Sequence, residues 1–312
     1  MENETSEVTA PPSLARRIFL GKNGIKAGWS IGIFILITGA ATAVFVIPLR
    51  MYILHMHWQV NGSTPLPTGL MELAVFLGTF VGSIIMTRIE HKPLISYGFD
   101  GERRLVNFFY GLLFGFIALS ALVGTMILFG FLTFDGIHIF GWRAVKYAIA
   151  WGAVFLTVGL YEEYFMRGYL LSTLSRGIGF WWSAIILSVA FGSLHLGNKG
   201  ESPVGIFSAA AIGLLFCISL WYLKTLWWAI GFHAAWDWAE SYFYGTADSG
   251  MVSKGHLLGV HPQGNILWSG GATGPEGSLL VVPLILIIAL LMWVAWKNKK
   301  VADAPVGNEA SS

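Results

Sequence analysis

Apolar residues fill the chain in long runs, and the polar positions fall in short clusters between them. A helix needs about 20 predominantly apolar residues to cross the hydrocarbon core of a bilayer. Eight stretches meet or approach that length: 27–49, 69–88, 105–132, 144–174, 180–197, 203–222, 226–244 and 279–296. The pattern predicts an all-α fold, a polytopic membrane bundle of about eight transmembrane helices. The fifth to seventh stretches are separated by little chain and hold many Gly and polar residues. That composition is tolerable only where a helix packs on protein rather than on lipid.

The organisation expected is a polar cytoplasmic tail over residues 1–24, a bundle over 25–300 with its chemistry concentrated at about 144–244, and a polar tail over 301–312. The acidic, Pro-containing start leads into an apolar run with no small-residue cleavage site, which reads as a retained helix and not as a signal peptide. The segment 245–278 is Gly-rich and has no helical period, and no internal repeat is evident. Eight crossings put both ends of the chain on one side. With that side cytoplasmic, 14 of the 19 basic residues fall there, or 13 once Arg167 is placed inside the membrane, against 5 on the other. Trp29, Trp142, Trp181, Trp182, Trp221, Trp227, Trp228, Trp293 and Trp296 stand near the expected helix ends, where an indole keeps its ring in the interface and its N–H in water.

Composition agrees: 55% of the 312 residues are hydrophobic, 12% are charged, and the mean hydropathy is +0.66, which excludes a soluble domain. A net charge of +2 on scattered basic residues excludes a nucleic-acid surface. The single cysteine, Cys217, excludes an internal disulfide and lies in an apolar run as a small packing residue.

Ionisable groups cost roughly 2.5–3.5 kcal/mol each at the bilayer centre, so those inside the spans need a reason. Glu162, Glu163 and Asp237 lie well inside, with Glu72 and Glu240 nearer helix ends. Glu163 and Arg167 are spaced i, i+4, which brings carboxylate and guanidinium together on one helix face. Glu162 points about 100° away and has no local cation, as suits a general base. Phe191 stands four residues before His195, and His233 four before Asp237, each pair one turn apart. At ~1.5 Å per residue, Glu162 lies ~18–20 Å, His195 ~20 Å and His233 ~10–12 Å from the cytoplasmic ends of their helices, so the three can meet. Taken singly, Glu163 with Arg167 is a structural lock, His195 a packing residue and His233 with Asp237 an oriented histidine. Taken in order across three spans they point to one shared site. An ionised Asp237 is expected to accept a ring N–H of His233 and fix its tautomer. His55, His57, His91, His138, His256 and His261 fall in loops or beside a helix end.

The ordered series Glu-Glu-x-x-x-Arg, Phe-x-x-x-His and His-x-x-x-Asn/Asp resembles that of the CAAX protease and bacteriocin-processing family, whose type II prenyl endopeptidases share an eight-helix plan. It is carried here by Glu162, Glu163, Arg167, Phe191, His195, His233 and Asp237, over about residues 144–244. The resemblance implies an endopeptidase of the bacterial plasma membrane, both termini cytoplasmic, acting on a membrane-associated peptide or protein. It assigns Glu162 as general base acting with His195 on water, His233 and Asp237 to the oxyanion, and Glu163 and Arg167 to support. Prenyl endopeptidases usually carry Asn at the position of Asp237, so prenyl-protein cleavage is not the preferred activity. A metal-free reaction is favoured. A zinc ion held by His195, His233 and Asp237 is the alternative, although the spacing is not the H-E-x-x-H of a zinc protease helix. The competing classes are a non-catalytic scaffold binding other membrane proteins such as sensor kinases, and a transporter, whose inverted repeat is missing. Cysteine labelling is expected to find both termini on the cytoplasmic side and the loops near residues 60 and 260 on the other; termini on opposite sides overturn the eight-helix plan.

Overall fold

A computed structural model describes residues 19–21, 24–58 and 63–302. Most of the expected N-terminal tail, the loop near residue 60 and residues 303–312 lie outside the described residues. The chain forms a helix bundle. Its long helices are α1 Ala27–His55, α2 Pro65–Glu90, α3 Arg104–Leu128, α4 Gly141–Glu163, α5 Leu171–Ile178, α6 Phe180–Leu194, α7 Pro203–Leu223, α8 Trp227–Trp238 and α9 Val281–Ala302. A π-turn, Tyr164–Leu170, joins α4 to α5 without a break, and a second, Ala239–Tyr244, extends α8. Among the described residues seven helices, counting α4 to α5 as one, are long and apolar enough to cross a membrane.

The eighth stretch, α8 with its π-turn, is not among the seven, yet it runs between the same two faces of the bundle. Its start is tied to the loop between α2 and α3, where Leu226 N–H and the Trp227 indole donate to the carbonyls of Gly98 and Phe99. Its end meets the opposite face, where Leu257 N–H donates to the Tyr242 carbonyl. Nearly every residue of Trp228–Trp236 is buried, so protein and not lipid is its solvent, and strong hydropathy is not required of it. The first face also gathers Ala27 against Gly177, the ion pair of Glu90 with Arg176, and Tyr222 stacked on Trp296 near the end of α9. The described ends of the bundle, at α1 and α9, therefore share a face.

Helix limits differ from the hydropathy pattern where the chain leaves the bundle. The third stretch stops at Leu128, and Leu132–Ile137 forms a strand, β1, paired antiparallel with β2, Leu258–Pro262. This ribbon, and the small hairpin of Ala247–Asp248 with Met251–Val252, give order to the Gly-rich segment that carries no helical period. The residues of β1 are largely exposed, yet enough of them are apolar to merge with the preceding helix in the hydropathy pattern.

Close helix approach rests on glycine. A Cβ at Gly111 or Gly115 of α3 would strike the backbone carbonyls of Trp228 or Phe232 of α8, and one at Gly231 would strike that of Phe108. Lipid tails supply no hydrophobic drive between helices, so such backbone contact is what associates them. Gly124, on the same α3, has nothing within 4 Å of a Cβ. Gly231→Val is expected to destabilise the protein by about 1–3 kcal/mol through overpacking, and Gly124→Ala to be neutral or mildly stabilising, as read from thermal unfolding in detergent.

Candidate active site

Arg167 organises the site. Its Nη1 donates to Glu163 Oε1 at 3.0 Å across the junction of α4 and the π-turn, with the two side chains 1% and 0% exposed. The guanidinium carbon lies 4.3 Å from the centre of the Phe191 ring on α6 and 5.6 Å from that of Phe216 on α7. A cation removed from water is stabilised both by an ionised partner and by aromatic faces, and Arg167 has both. The spacing of Phe191 to His195 thereby gains a second meaning: the ring packs on the buried cation, and the backbone carbonyl serves the histidine.

His233 completes the lock from α8. Its Nδ1 lies 2.9 Å from Glu163 Oε1, which already accepts from Arg167. A carboxylate facing an ever-charged guanidinium is an acceptor, so Nδ1 is the donor. The sequence reading gave Asp237 the task of fixing the tautomer; Glu163 holds that position instead. Asp237 Oδ2 is 3.4 Å, and Glu162 Oε2 3.8 Å, from the other nitrogen, Nε2. A charged ring would present an N–H there.

His195, at the end of α6, donates from Nδ1 to the Phe191 carbonyl at 2.9 Å. A carbonyl only accepts, so the neutral ring carries its proton on Nδ1 and keeps a lone pair on Nε2. Glu162 is 27% exposed and stands apart from the ion pair. Its Oε1 lies 3.2 Å from the Tyr161 hydroxyl, which is 2.9 Å from Glu72 Oε2 of α2.

These groups surround one cavity of about 620 Å³ lined by Glu72, Tyr161, Glu162, His195, His233 and Asp237, with apolar walls from α1, α4 and α7. Glu163 and Arg167 lie behind the wall and do not line it. At the end nearer the hairpin, burial with Asp237 and Glu276 close by pushes the Asp248 carboxyl well above its ordinary range.

Residues 144–239 match the family model described as type II CAAX prenyl endopeptidase, Rce1-like. The matched segment starts in α4 and ends just beyond α8, so it contains every member of the motif series. Over this segment the chain is similar to the CAAX protease family. A comparison with curated proteins yields no match.

The matched segment brings together all six residues expected from the sequence, in two ranks: Glu162, His195, His233 and Asp237 on the cavity, Glu163 and Arg167 behind it. Among the described residues, the donor atoms that gather within 4.8 Å of one another are those of Glu240, Asp248 and Glu276, and His195, His233 and Asp237 form no such group. As placed they do not fit a zinc site, whose ligands must all reach one ion at about 2.0–2.2 Å. Sequence reasoning missed Tyr161, Glu72 as a cavity residue, and Gly213, where a Cβ would sit 2.6 Å from Arg167 Nη2. The glycine is the space the guanidinium occupies.

Glu163→Ala leaves Arg167 charged, buried and without its carboxylate, and is expected to cost about 3–5 kcal/mol, seen as lower accumulation and an earlier melting transition. Glu162→Gln should leave both unchanged. Equal losses in the two variants would contradict the division into lock and cavity wall.

Proposed function

We propose that the protein is an intramembrane endopeptidase that hydrolyses a peptide bond of a membrane-associated peptide or protein, with water activated by Glu162 and His195. One observation carries this reading. Of two adjacent carboxylates, Glu163 is buried with its Oε1 held by both Arg167 and His233, while Glu162 faces a cavity that it shares with His195, His233 and Asp237.

The chemistry follows from the donor and acceptor roles. Glu162 accepts a proton from water while the lone pair on His195 Nε2 accepts a hydrogen bond from the O–H that remains, raising the nucleophilicity of the oxygen. The water oxygen bonds to the carbonyl carbon, and negative charge gathers on the carbonyl oxygen. His233 in its charged form offers Nε2–H to that oxyanion, with Asp237 beside it favouring the charged ring. Collapse breaks the C–N bond, and the proton held by Glu162 passes to the leaving amine. Glu163 and Arg167 touch no reacting atom; they fix the ring of His233.

A cavity of about 620 Å³ is within the range that encloses small ligands and short peptide segments, and its apolar walls suit a substrate already in the bilayer. The Tyr161 hydroxyl, between Glu72 and Glu162, can donate to only one of them at a time, and its shorter contact is to Glu72.

Cleavage by the purified protein in detergent is expected to fall at least ~100-fold in Glu162→Gln and in His195→Ala, with the protein still inserted. Asp237→Asn should retain measurable cleavage in the presence of chelator, and Asp237→Ala should lose most of it. Full biological activity in both the Glu162 and His195 variants would favour a scaffold. Stoichiometric bound metal, with activity lost on its removal and restored by its return, would replace the metal-free mechanism.

A further inference from the structure

The lock and the cavity chemistry leave one buried acid unused. Glu240, in the π-turn that extends α8, is 0% exposed, and neither of its carboxylate oxygens has a hydrogen-bond partner. Left ionised, such a group requires a compensating positive charge; left neutral, it still needs a bond for its proton. What it faces is two more acids. One oxygen from each of Glu240, Asp248 and Glu276 lies within 4.8 Å of the others. The three come from separate segments: the end of α8, the small hairpin, and the turn that precedes α9.

The surroundings keep that meeting point open and rich in oxygen. Gly274, at φ +110°, adopts a backbone shape that side chains rarely take; a Cβ there would strike the Ala247 carbonyl and sit 3.1 Å from Glu240 Oε1. The carbonyl and the carboxylate thus flank one point. Glu276 Oε1 accepts from Ser249 N–H at 2.8 Å and from its hydroxyl at 2.6 Å, and Asp248 Oδ2 accepts from Ser241 at 3.1 Å. These donors hold two of the carboxylates in orientation, as outer partners do around metal ligands. Asp248 and Glu276 also line the large cavity, where no lysine or arginine is found among the described residues, so a cation entering it meets carboxylates and no competing positive side chain.

We propose that Glu240, Asp248 and Glu276 bind a divalent cation, Ca²⁺, that fastens the hairpin and the turn before α9 to the end of α8. All the available donors are oxygens, which suits a hard ion, and their irregular disposition suits Ca²⁺ better than Mg²⁺, which demands near-octahedral geometry and keeps its waters. The site is distinct from the His195, His233 and Glu162 cluster and does not depend on the peptidase reading.

The test uses the full chain purified in detergent, stripped with EDTA, dialysed, and titrated with Tb³⁺ and then CaCl₂. Saturable Tb³⁺ luminescence displaced by Ca²⁺ is expected, with the melting transition raised by about 3 °C at a tenfold excess of Ca²⁺ over its Kd. Glu276→Gln should weaken Ca²⁺ binding at least ~10-fold, and Glu102→Gln, an exposed acid elsewhere, should leave it unchanged. Glu240→Gln removes the buried charge, so its metal-free form should melt no earlier than the parent while its response to Ca²⁺ disappears. If that variant fails to accumulate, Glu276→Gln decides the matter alone. Absence of saturable binding, or an equal Ca²⁺ response in parent and both variants, overturns the site and leaves the acids holding protons. Mg²⁺ binding as tight as Ca²⁺ overturns the choice of ion.

Discussion

A guanidinium cannot shed its charge, so an arginine taken out of water has to be met by a carboxylate and by faces that tolerate a cation. Arg167 is met by Glu163 on its own helix, Phe191 on α6 and Phe216 on α7, and Glu163 in turn holds His233 on α8. One buried cation therefore dictates the relative placement of four helices. The cavity groups inherit their positions from it: His195 hangs from the carbonyl of the same Phe191, and Glu162 is the neighbour left over when Glu163 is consumed.

The backbone accommodates that demand through irregular turns at both ends of the polar network. The π-turn after Glu163 and the one after Trp238 each insert extra chain into a helix immediately beyond an acidic residue that the site uses. π-turns recur at functional positions because they re-aim side chains within a continuous helix. Glycine does the complementary work. Gly111, Gly115 and Gly231 let α3 and α8 touch backbone to backbone, and Gly213 leaves the volume that the guanidinium fills. Precision at the site is thus a consequence of close packing in a solvent that offers no hydrophobic drive.

Charge on the cavity is strongly one-sided. Glu72, Glu162, Asp237, Asp248 and Glu276 line it, with His195 and His233 as the basic groups. The peptidase reading places protons and one imidazolium at the inner end, and the proposed Ca²⁺ compensates the acids at the outer end. Both express a single constraint, that carboxylates sharing a low-dielectric space cannot all stay ionised without a positive partner.

Much of this was legible in the sequence. Hydropathy runs fixed the all-α bundle because the bilayer demands about 20 apolar residues per crossing, and the i, i+4 spacing announced the Glu163–Arg167 pair, since helical geometry alone brings such residues together. α8 was readable as a helix of the bundle although its polar residues keep it below the hydropathy of the other seven, because an interior helix can carry them. Other features belong to tertiary structure. That Glu163 and not Asp237 holds Nδ1 of His233, that Tyr161 joins Glu72 to Glu162, that β1 pairs with β2, and that Glu240 meets Asp248 and Glu276 all depend on contacts between separate elements of the chain. Local periodicity states which face of a helix a residue occupies; which other helix that face meets is decided only when the whole bundle closes around its buried charge.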